Sequence, residues 1–448
     1  MARARLRMSG VGRDASSPQA GVFPLEISSD DRYLQQADGT PFLPIGDALW
    51  TAEVQLTRAQ METVAANRAA AGYTCVITEA FERTYSDNSP AWETRDGVIP
   101  FTTTANSGSM TWTSRNEAYW ADLDYWVDAN QSRDMVVILN FAYMGFGGSG
   151  TSDGWYEAIA AGSDADLFAY GQFMGARYPW VIWCFLGDDA GDGNTITPGA
   201  VRNKQRQIAL GIKDVNPDAI FTAHPARNGG GGATDGEGYL ACSTYAEFNL
   251  NSIYGTESDL YVLAATAETR GMPYFMIESA YEQGGSSESL RKAVWQSLCS
   301  GACGAIGGQF PRWGLGASGA GGTGVTDCLN DDFATSGDTE INLAGTLLNQ
   351  YDWWTRVPYA DLVDSSLGSG TSRICPVRGT YTSGTKHFAH IYVPSATTVT
   401  LDMTAYTQAS VRVRTFSVGT GAFTDKGTFA NTGTQDIVCG GECVIVAD

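Results

Sequence analysis

Side chains that could act together close a series of short apolar runs in this sequence: Asp47 and Trp50, Glu79, Asn140, Asp188 with Asp189, His224, Glu278 with Glu282, and Gln309. Several are carboxylates from distant stretches of chain. Two carboxyl groups facing each other across a sugar can break a glycosidic bond: one protonates the leaving oxygen while the other attacks the anomeric carbon or activates water. Asp188 and Glu278 are the best pair, because each directly follows an apolar run, WVIWCFLG and PYFMI. Burial at such a position lifts a carboxyl pKa, as a general acid requires. Asp189 competes with Asp188 for this role, and Glu282 with Glu278. For any single carboxylate a salt bridge or a loop cap is the commoner role; two at matched places tip the balance toward catalysis.

Other groups fit a sugar pocket. Sugars offer apolar C–H faces to aromatic rings and hydroxyls to polar side chains. Trp50, Trp92, Trp112, Trp155 and Trp313 fall in or beside the connecting loops, although core packing explains any one ring equally well. The expected substrate-binding set is Asp47, Trp50, Glu79, Asn140, His224, Glu282, Gln309 and Trp313. A lone histidine is usually a packed, satisfied residue; the functional reading of His224 is a donor to a sugar hydroxyl. A metal hydrolase draws on several His ligands, and this chain has three His in all. The acidic run Asp188, Asp189, Asp192, Asn194 misses the spacing of a calcium loop. No metal and no cofactor are therefore expected. Gly314, Gly316 and Gly319 spell G-x-G-x-x-G, but no helix start follows to hold a pyrophosphate. No G-x-S-x-G elbow supplies a nucleophilic serine.

To bring these residues together, the chain must return each apolar run to one layer. PFLPIGDALW, TCVITEAF, MVVILNFAY, WVIWCFLG, AIFTAHP, AEFNLNS, PYFMIES and GAIGGQF are short and nearly all apolar, as strands buried on both faces are. Helical stretches lie between them. Thr57 caps one that runs to about 71 with Met61, Val64 and Ala65 on one side; others cover about 116–131, 164–178 and 200–213. Eight such units predict an α/β fold, a (β/α)8 TIM barrel, with functional groups at the C-terminal ends of the strands. The texture changes near Pro358. HFAHIYVP, TTVTLDM, SVRVRTF and CVIVAD alternate without a helical period and predict a small C-terminal all-β sandwich. The expected organisation is an N-terminal arm at 1–22, the barrel at 23–357 and the sandwich at 358–448, with the glycine-rich stretch 314–324 as a flexible loop.

Composition agrees with a chain of this kind. Of 448 residues, 43% are hydrophobic and 17% charged, which is globular, and the length suits one barrel plus one small module. The net charge of −21 argues against nucleic acid and anionic membrane surfaces, since phosphate contacts draw on clustered Lys and Arg. The one dense basic run, 1–13, lacks the apolar core of a secretory signal, so a cytoplasmic, virion-associated or non-classically exported protein is expected. Nine cysteines are scattered at odd spacings; Cys439 and Cys443 could close a C-terminal hairpin, and Cys299 and Cys303 have no second pair to make a zinc site. The partner expected from all this is a carbohydrate.

Here the chain resembles a known family. LEISSDDRYLQQADGTPFLPIGDALW is similar to the first strand of the apiosidase-like barrels of glycoside hydrolase family 140, with its Gly-Asp-x-x-Trp segment at Gly46, Asp47 and Trp50. YPWVIWCFLGDD is similar to the family's Trp-x-x-Gly-Gly-Asp segment, TAHP to its His-Pro strand end, and PYFMIESAYE to its segment with two glutamates four apart. The resemblance implies a glycoside hydrolase barrel with the catalytic Asp at Asp188 and the catalytic Glu at Glu278, with Glu282 beside it. FAHIYVPSATTVTLDMTAY resembles the accompanying C-terminal domain named for collagen binding, although no collagen binding is expected. The chain departs from the family at Leu186 for a glycine, at Ser279 for a proline and at NLNSIYG, all of which reshape the pocket. The second expectation is a non-catalytic glycan-binding or virion-associated structural or receptor-binding protein, with self-association through the arm.

Overall fold

Eight parallel strands make one sheet that curls into a barrel: β1 (Ile45–Ala48), β2 (Cys75–Glu79), β3 (Val136–Asn140), β4 (Ile182–Asp189), β5 (Ile220–Pro225), β6 (Asn251–Tyr254), β7 (Tyr274–Glu278) and β8 (Ala305–Gly307). Their order is β5-β4-β3-β2-β1-β8-β7-β6, so sequential strands are neighbours all the way round. The remaining seam, between β5 and β6, is bridged by Leu250 N–H donating to the Phe221 carbonyl (3.0 Å) and Ser252 Oγ donating to the Ala223 carbonyl (2.5 Å). The computed structural model describes residues 22–102, 110–145, 153–189, 199–226, 245–283 and 286–448. Most of the N-terminal arm, Asp192, Asn194 and Cys242 lie outside the described residues, and of Asp189 only the backbone is described.

The helices form where the sequence carries start and stop signals. Helix α1 (Arg58–Ala71) has Thr57 and Gln60 as a reciprocal capping box and ends at Gly72 in the left-handed conformation. Met61, Val64, Ala65 and Arg68 make its buried face. Helices α2 (Glu117–Gln131), α3 (Asp164–Arg177), α4 (Gly199–Val215), α5 (Leu260–Glu268), α6 (Glu288–Leu298) and α7 (Ser336–Leu348) complete the outer layer, with Asn116, Ser163 and Thr335 capping α2, α3 and α7 through their side chains. Where α3 meets α4, a Cβ on Gly171 would lie 2.0 Å from the Ile208 carbonyl oxygen, and one on Gly211 2.0 Å from the Phe168 carbonyl oxygen, so glycine sets that close approach. Among the described residues no helix is long and apolar enough to cross a membrane.

The sixth strand starts later than its apolar run suggests. The AEFNLNS segment enters as a turn, because Asn249 spends its N–H and its side-chain oxygen on Phe221 of β5 in place of β7; pairing with β7 begins at Asn251 and reaches Tyr254, opposite Glu278. The glycine-rich stretch is likewise no loose loop. It folds into 3₁₀ turns at Arg312–Gly314 and Ser318–Ala320, tied by Gly324 N–H to the Gly316 carbonyl (2.8 Å).

After the barrel come strands β9 (Val357–Pro358), β10 (Cys375–Thr380), β11 (His387–Val393), β12 (Thr397–Asp402), β13 (Ser410–Ser417), β14 (Phe423–Ala430), β15 (Thr434–Cys439) and β16 (Cys443–Ala447). Six form an antiparallel sheet in the order β9-β10-β11-β16-β13-β14, and β12 pairs with β15 in a second one. Val399, Leu401 and Ile437 of the small sheet pack on Ile391, Val411, Val413 and Ile445 of the large one. The large sheet's other face, with Phe388, Tyr392, Phe416, Val444 and Val446, belongs to the same continuous core as the barrel helices. The sandwich is thus joined to the barrel by buried apolar surface. The eight described cysteines are buried free thiols, Cys439 and Cys443 included.

Candidate active site

Every barrel strand delivers a side chain to one cavity at its C-terminal end: Trp50 after β1, Glu79 on β2, Tyr143 after β3, Asp188 on β4, His224 on β5, Tyr254 on β6, Glu278 on β7, and Phe310 and Trp313 after β8, with Tyr85, Ser279 and Tyr281 completing the wall. Its volume is about 270 Å³, close to the lower end of small-ligand pockets.

Asp188 is aimed by an unusual backbone. Leu186, Gly187 and Asp188 all have left-handed φ values, 66°, 104° and 52°. An L-residue there costs about 1–2 kcal/mol, so the two non-glycine residues on either side of Gly187 mark strain that the surrounding packing must hold. Pairing between β4 and β5 breaks at this bulge, between Leu186 and Asp189. Gly187 also has no alternative on space grounds: a Cβ would sit 2.4 Å from the Tyr143 ring. Gln205 of α4 locks the bulge from behind, accepting from Leu186 N–H (3.0 Å) and donating to the carbonyls of Ala142 (2.9 Å) and Leu186 (3.3 Å).

His224 links the two strands that carry the acids. The Asp188 N–H donates to His224 Nδ1 (2.9 Å), so Nε2 carries the proton and donates to Glu278 Oε2 (2.6 Å). The Tyr254 hydroxyl donates to the other oxygen of Glu278 (2.7 Å). Glu278 therefore holds a fixed orientation with a donor on each oxygen. Burial works against a charged His224, but the Glu278 carboxylate, by charge and hydrogen bond, and the Asp188 carboxylate outweigh it and hold the imidazole above its ordinary range. A second proton would still have to displace the Asp188 amide from Nδ1, which favours the neutral ring. Burial first, then the surrounding carboxylates, push the hydroxyls of Tyr143, Tyr254 and Tyr281 well up, so they remain hydrogen-bond donors at any working pH.

The aromatic wall is continuous. Trp50 meets His224 edge-on at 5.0 Å and donates from its indole to the Tyr281 hydroxyl (3.1 Å); Tyr281, Phe310, Trp313 and Tyr85 follow at centroid separations of 5.8, 6.0 and 5.2 Å. Phe310 is 38% exposed, which leaves an apolar face at the rim of the cavity.

Of the residues singled out from sequence, Trp50, Glu79, Asp188, His224, Glu278 and Trp313 line this cavity. The others are placed elsewhere. Asp47 is fully buried between Arg68 (3.0 Å) and Arg312 (2.9 Å). Asn140 is fully buried and caps the Ala142 N–H. Glu282 accepts from Thr335 Oγ1 (2.5 Å) and Gly337 N–H (3.2 Å) and so ties down the start of α7. Gln309 spans Asp332 and the Arg312 N–H. Trp112 and Trp155 are core rings around Phe81, and Trp92 meets Trp155 edge-on. Sequence reasoning passed over Tyr143, Tyr254, Tyr281 and Phe310. Each stands at or just beyond a strand end, a signal that was present; Tyr254 was hidden by the misplaced start of β6. Among the described residues no group of three or more His, Cys, Asp or Glu side chains could hold a metal ion.

Comparison with known proteins follows the same lines. A family model described as apiosidase-like, catalytic domain, matches residues 28–355. No curated protein matches the sequence. Among solved structures, a glycoside hydrolase family 5 protein from Bacteroides vulgatus is similar at 18% identity and a TM-score of 0.78, covering 95% of this chain and 93% of its own. A second structure, titled glycoside hydrolase, is similar at 17% identity and 0.74, covering 95% and 96%. At these identities the likeness is one of fold, and it extends over barrel and sandwich together.

Proposed function

The chain belongs to the apiosidase-like catalytic-domain family, and with it to the glycoside hydrolases, and from that premise we propose that it cleaves a glycosidic bond with Asp188 as the acid and Glu278 as the carboxylate acting at the anomeric carbon. The observation that carries this reading is the single cavity in which Asp188 and Glu278, from β4 and β7, are bridged by His224. Glu278 suits the carboxylate role: Tyr254 and His224 each donate to one of its oxygens and fix its orientation. Attack on the anomeric carbon builds oxocarbenium character that this carboxylate stabilises, and Asp188 delivers the proton to the departing oxygen. Trp50, Trp313 and Phe310 supply the apolar faces for sugar rings, and the Tyr143 and Tyr281 hydroxyls supply donors. The substrate class proposed is a plant or bacterial polysaccharide, with pectic side chains the first to try.

The test is turnover of pectic and bacterial polysaccharides by the wild type, Asp188→Asn and Glu278→Gln. Both changes should lower kcat by about a thousandfold or more, with folding intact. An aryl glycoside whose leaving group needs no proton should rescue Asp188→Asn but not Glu278→Gln. Activity that survives both substitutions removes these residues from the mechanism. Proton NMR of the first-formed sugar distinguishes direct attack by Glu278, with retention, from activation of water, with inversion.

A further inference from the structure

Asp188 sits on an irregular stretch of the barrel sheet, and a buried side chain from the helix layer holds that stretch in shape. Leu186, Gly187 and Asp188 run through left-handed backbone where β4 leaves its register with β5. A strand relaxes out of such a conformation unless its neighbours oppose it. Two backbone bonds tie the bulge to the segment after β3: Met144 N–H donates to the Leu186 carbonyl (2.9 Å) and Gly145 N–H to the Gly187 carbonyl (3.2 Å). Gln205 of α4, fully buried, serves the groups between them. Its Oε1 accepts from Leu186 N–H (3.0 Å), and its Nε2 donates to the carbonyls of Ala142 (2.9 Å) and Leu186 (3.3 Å). The close contact of Gly171 on Ile208 lies three residues further along α4 and fixes how deeply the Gln205 side chain enters. The three partners demand an amide: it offers an acceptor and two donors on one uncharged group. A carboxylate there would face two carbonyl oxygens, and a methionine of similar length would leave all three backbone groups without this partner, away from water.

We propose that Gln205 is a positioning residue for acid catalysis: by bonding both backbone groups of Leu186 and the Ala142 carbonyl, it holds the left-handed turn that aims the Asp188 carboxyl at the departing oxygen. The inference rests on the glycosidase reading for the role of Asp188. It goes beyond that reading in assigning the accuracy of proton delivery to a helix residue that does not line the cavity. Glu278 is held independently, by Tyr254 of β6 and His224 of β5. Loss of Gln205 therefore disturbs one carboxyl of the pair and spares the other. The two roles also differ in how they register in turnover. A misplaced acid slows departure of an oxygen that needs a proton, by about a hundredfold for a displacement of about 1 Å. Departure of a group that leaves as a stable anion does not need that proton.

The experiment has two arms on the full-length protein. Hydrogen exchange read by mass spectrometry needs no substrate. In Gln205→Met the segment 182–189 should exchange at least about tenfold faster than in the wild type, while 75–79 and 274–278 keep their protection; unchanged exchange over 182–189 overturns the proposal whether or not any glycoside is hydrolysed. Kinetics supply the second arm, comparing kcat/KM on a glycoside with an unactivated leaving group and on an aryl glycoside whose leaving group needs no proton. Gln205→Met should lose about a hundredfold on the first and about threefold or less on the second, repeating in milder form the pattern of Asp188→Asn. Equal losses on both substrates would mean general damage to the site and overturn the proposal. Gln205→Glu is the second variant should Gln205→Met fail to fold. It keeps the acceptor for Leu186 N–H and, once protonated, regains one donor. Its kcat/KM on the unactivated glycoside, relative to the wild type, should therefore recover as pH falls; a ratio that stays flat with pH overturns the proposal. If Asp188→Asn shows no preference for the activated leaving group, the glycosidase reading fails on its own evidence, separately from the exchange result.

Discussion

Two buried acidic clusters flank the first two barrel strands, and they solve the same electrostatic problem in opposite ways. Around Asp47, two carboxylates meet two guanidiniums: Arg68 contacts Asp47 and Asp338 at 3.0 and 2.8 Å, and Arg312 contacts them at 2.9 and 2.8 Å. Tyr73 adds a hydroxyl to Asp338 (2.7 Å). That network joins β1, α1, α7 and the turn after β8. Around Glu79, three buried carboxyls meet no guanidinium at ion-pair distance among the described residues; backbone amides hold Glu82, and burial pushes Glu79 well above the ordinary glutamate range. The comparison teaches that an acid at a strand end becomes structural when cations close around it and remains available for chemistry when they do not. Asp47 and Glu79 look alike in the sequence, each ending an apolar run, and only their counter-charges separate them.

The largest expected effect tests the ion network. Arg312→Met removes one of two cations from two buried anions, and breaking such a pair on one side costs about 3–5 kcal/mol. Urea denaturation should show that loss. A double variant, Arg312→Met with Asp47→Asn, should lose less than the two singles combined; additive losses would mean the charges are not coupled.

The next test uses pH, where Asp338 and Glu53 should act with opposite signs. Burial opposes ionisation of Asp338, but Arg312 and then Arg68 hold its carboxyl below the usual range. Its contribution to stability is therefore present at neutral pH and is lost as pH falls through and below the ordinary aspartate range. Burial, then the charge of Glu82, lifts Glu53 well above the ordinary range. The folded protein keeps that proton while the unfolded chain releases it, so stability falls as pH rises above the ordinary glutamate range, by up to about 1.4 kcal/mol per pH unit. Glu53→Gln should flatten the stability curve between neutral and alkaline pH and make the protein more stable there than the wild type. An unchanged slope would show that Glu53 is ionised in the folded state.

The smallest effect concerns the two glutamates four residues apart. Glu278 faces the cavity, whereas Glu282 secures Thr335 and Gly337 at the start of α7. Glu282→Gln should cost about 1 kcal/mol in thermal unfolding and leave kcat within about threefold. A collapse of turnover without loss of stability would move Glu282 into the catalytic set and blur the line between structural and catalytic acids drawn here.

How much of this was legible beforehand depends on the kind of information involved. Strand and helix positions follow from local signals. The Thr57 cap, the left-handed Gly72 and the unbroken apolar run of CVITE are all written in neighbouring residues, and so are Asp188 and Glu278 as strand-end acids. The start of β6 was misread because Asn249 answers to Phe221, a partner 28 residues away. The aromatic wall was half seen: attention to tryptophan found Trp50 and Trp313, while four smaller rings at equivalent strand ends went unremarked.

By itself the amino-acid order determined a barrel of eight strand–helix units with a β-sandwich behind it, because periodicity and capping are short-range properties. It also determined that acids stand at several strand ends. Which of those acids share a cavity, which are locked to arginines from α1 and the last turn, and which are pushed up by burial were decided by tertiary structure alone. The reason is that the charge state and reach of a carboxyl depend on groups brought within a few ångströms by folding, and those groups are separated by tens to hundreds of residues along the chain.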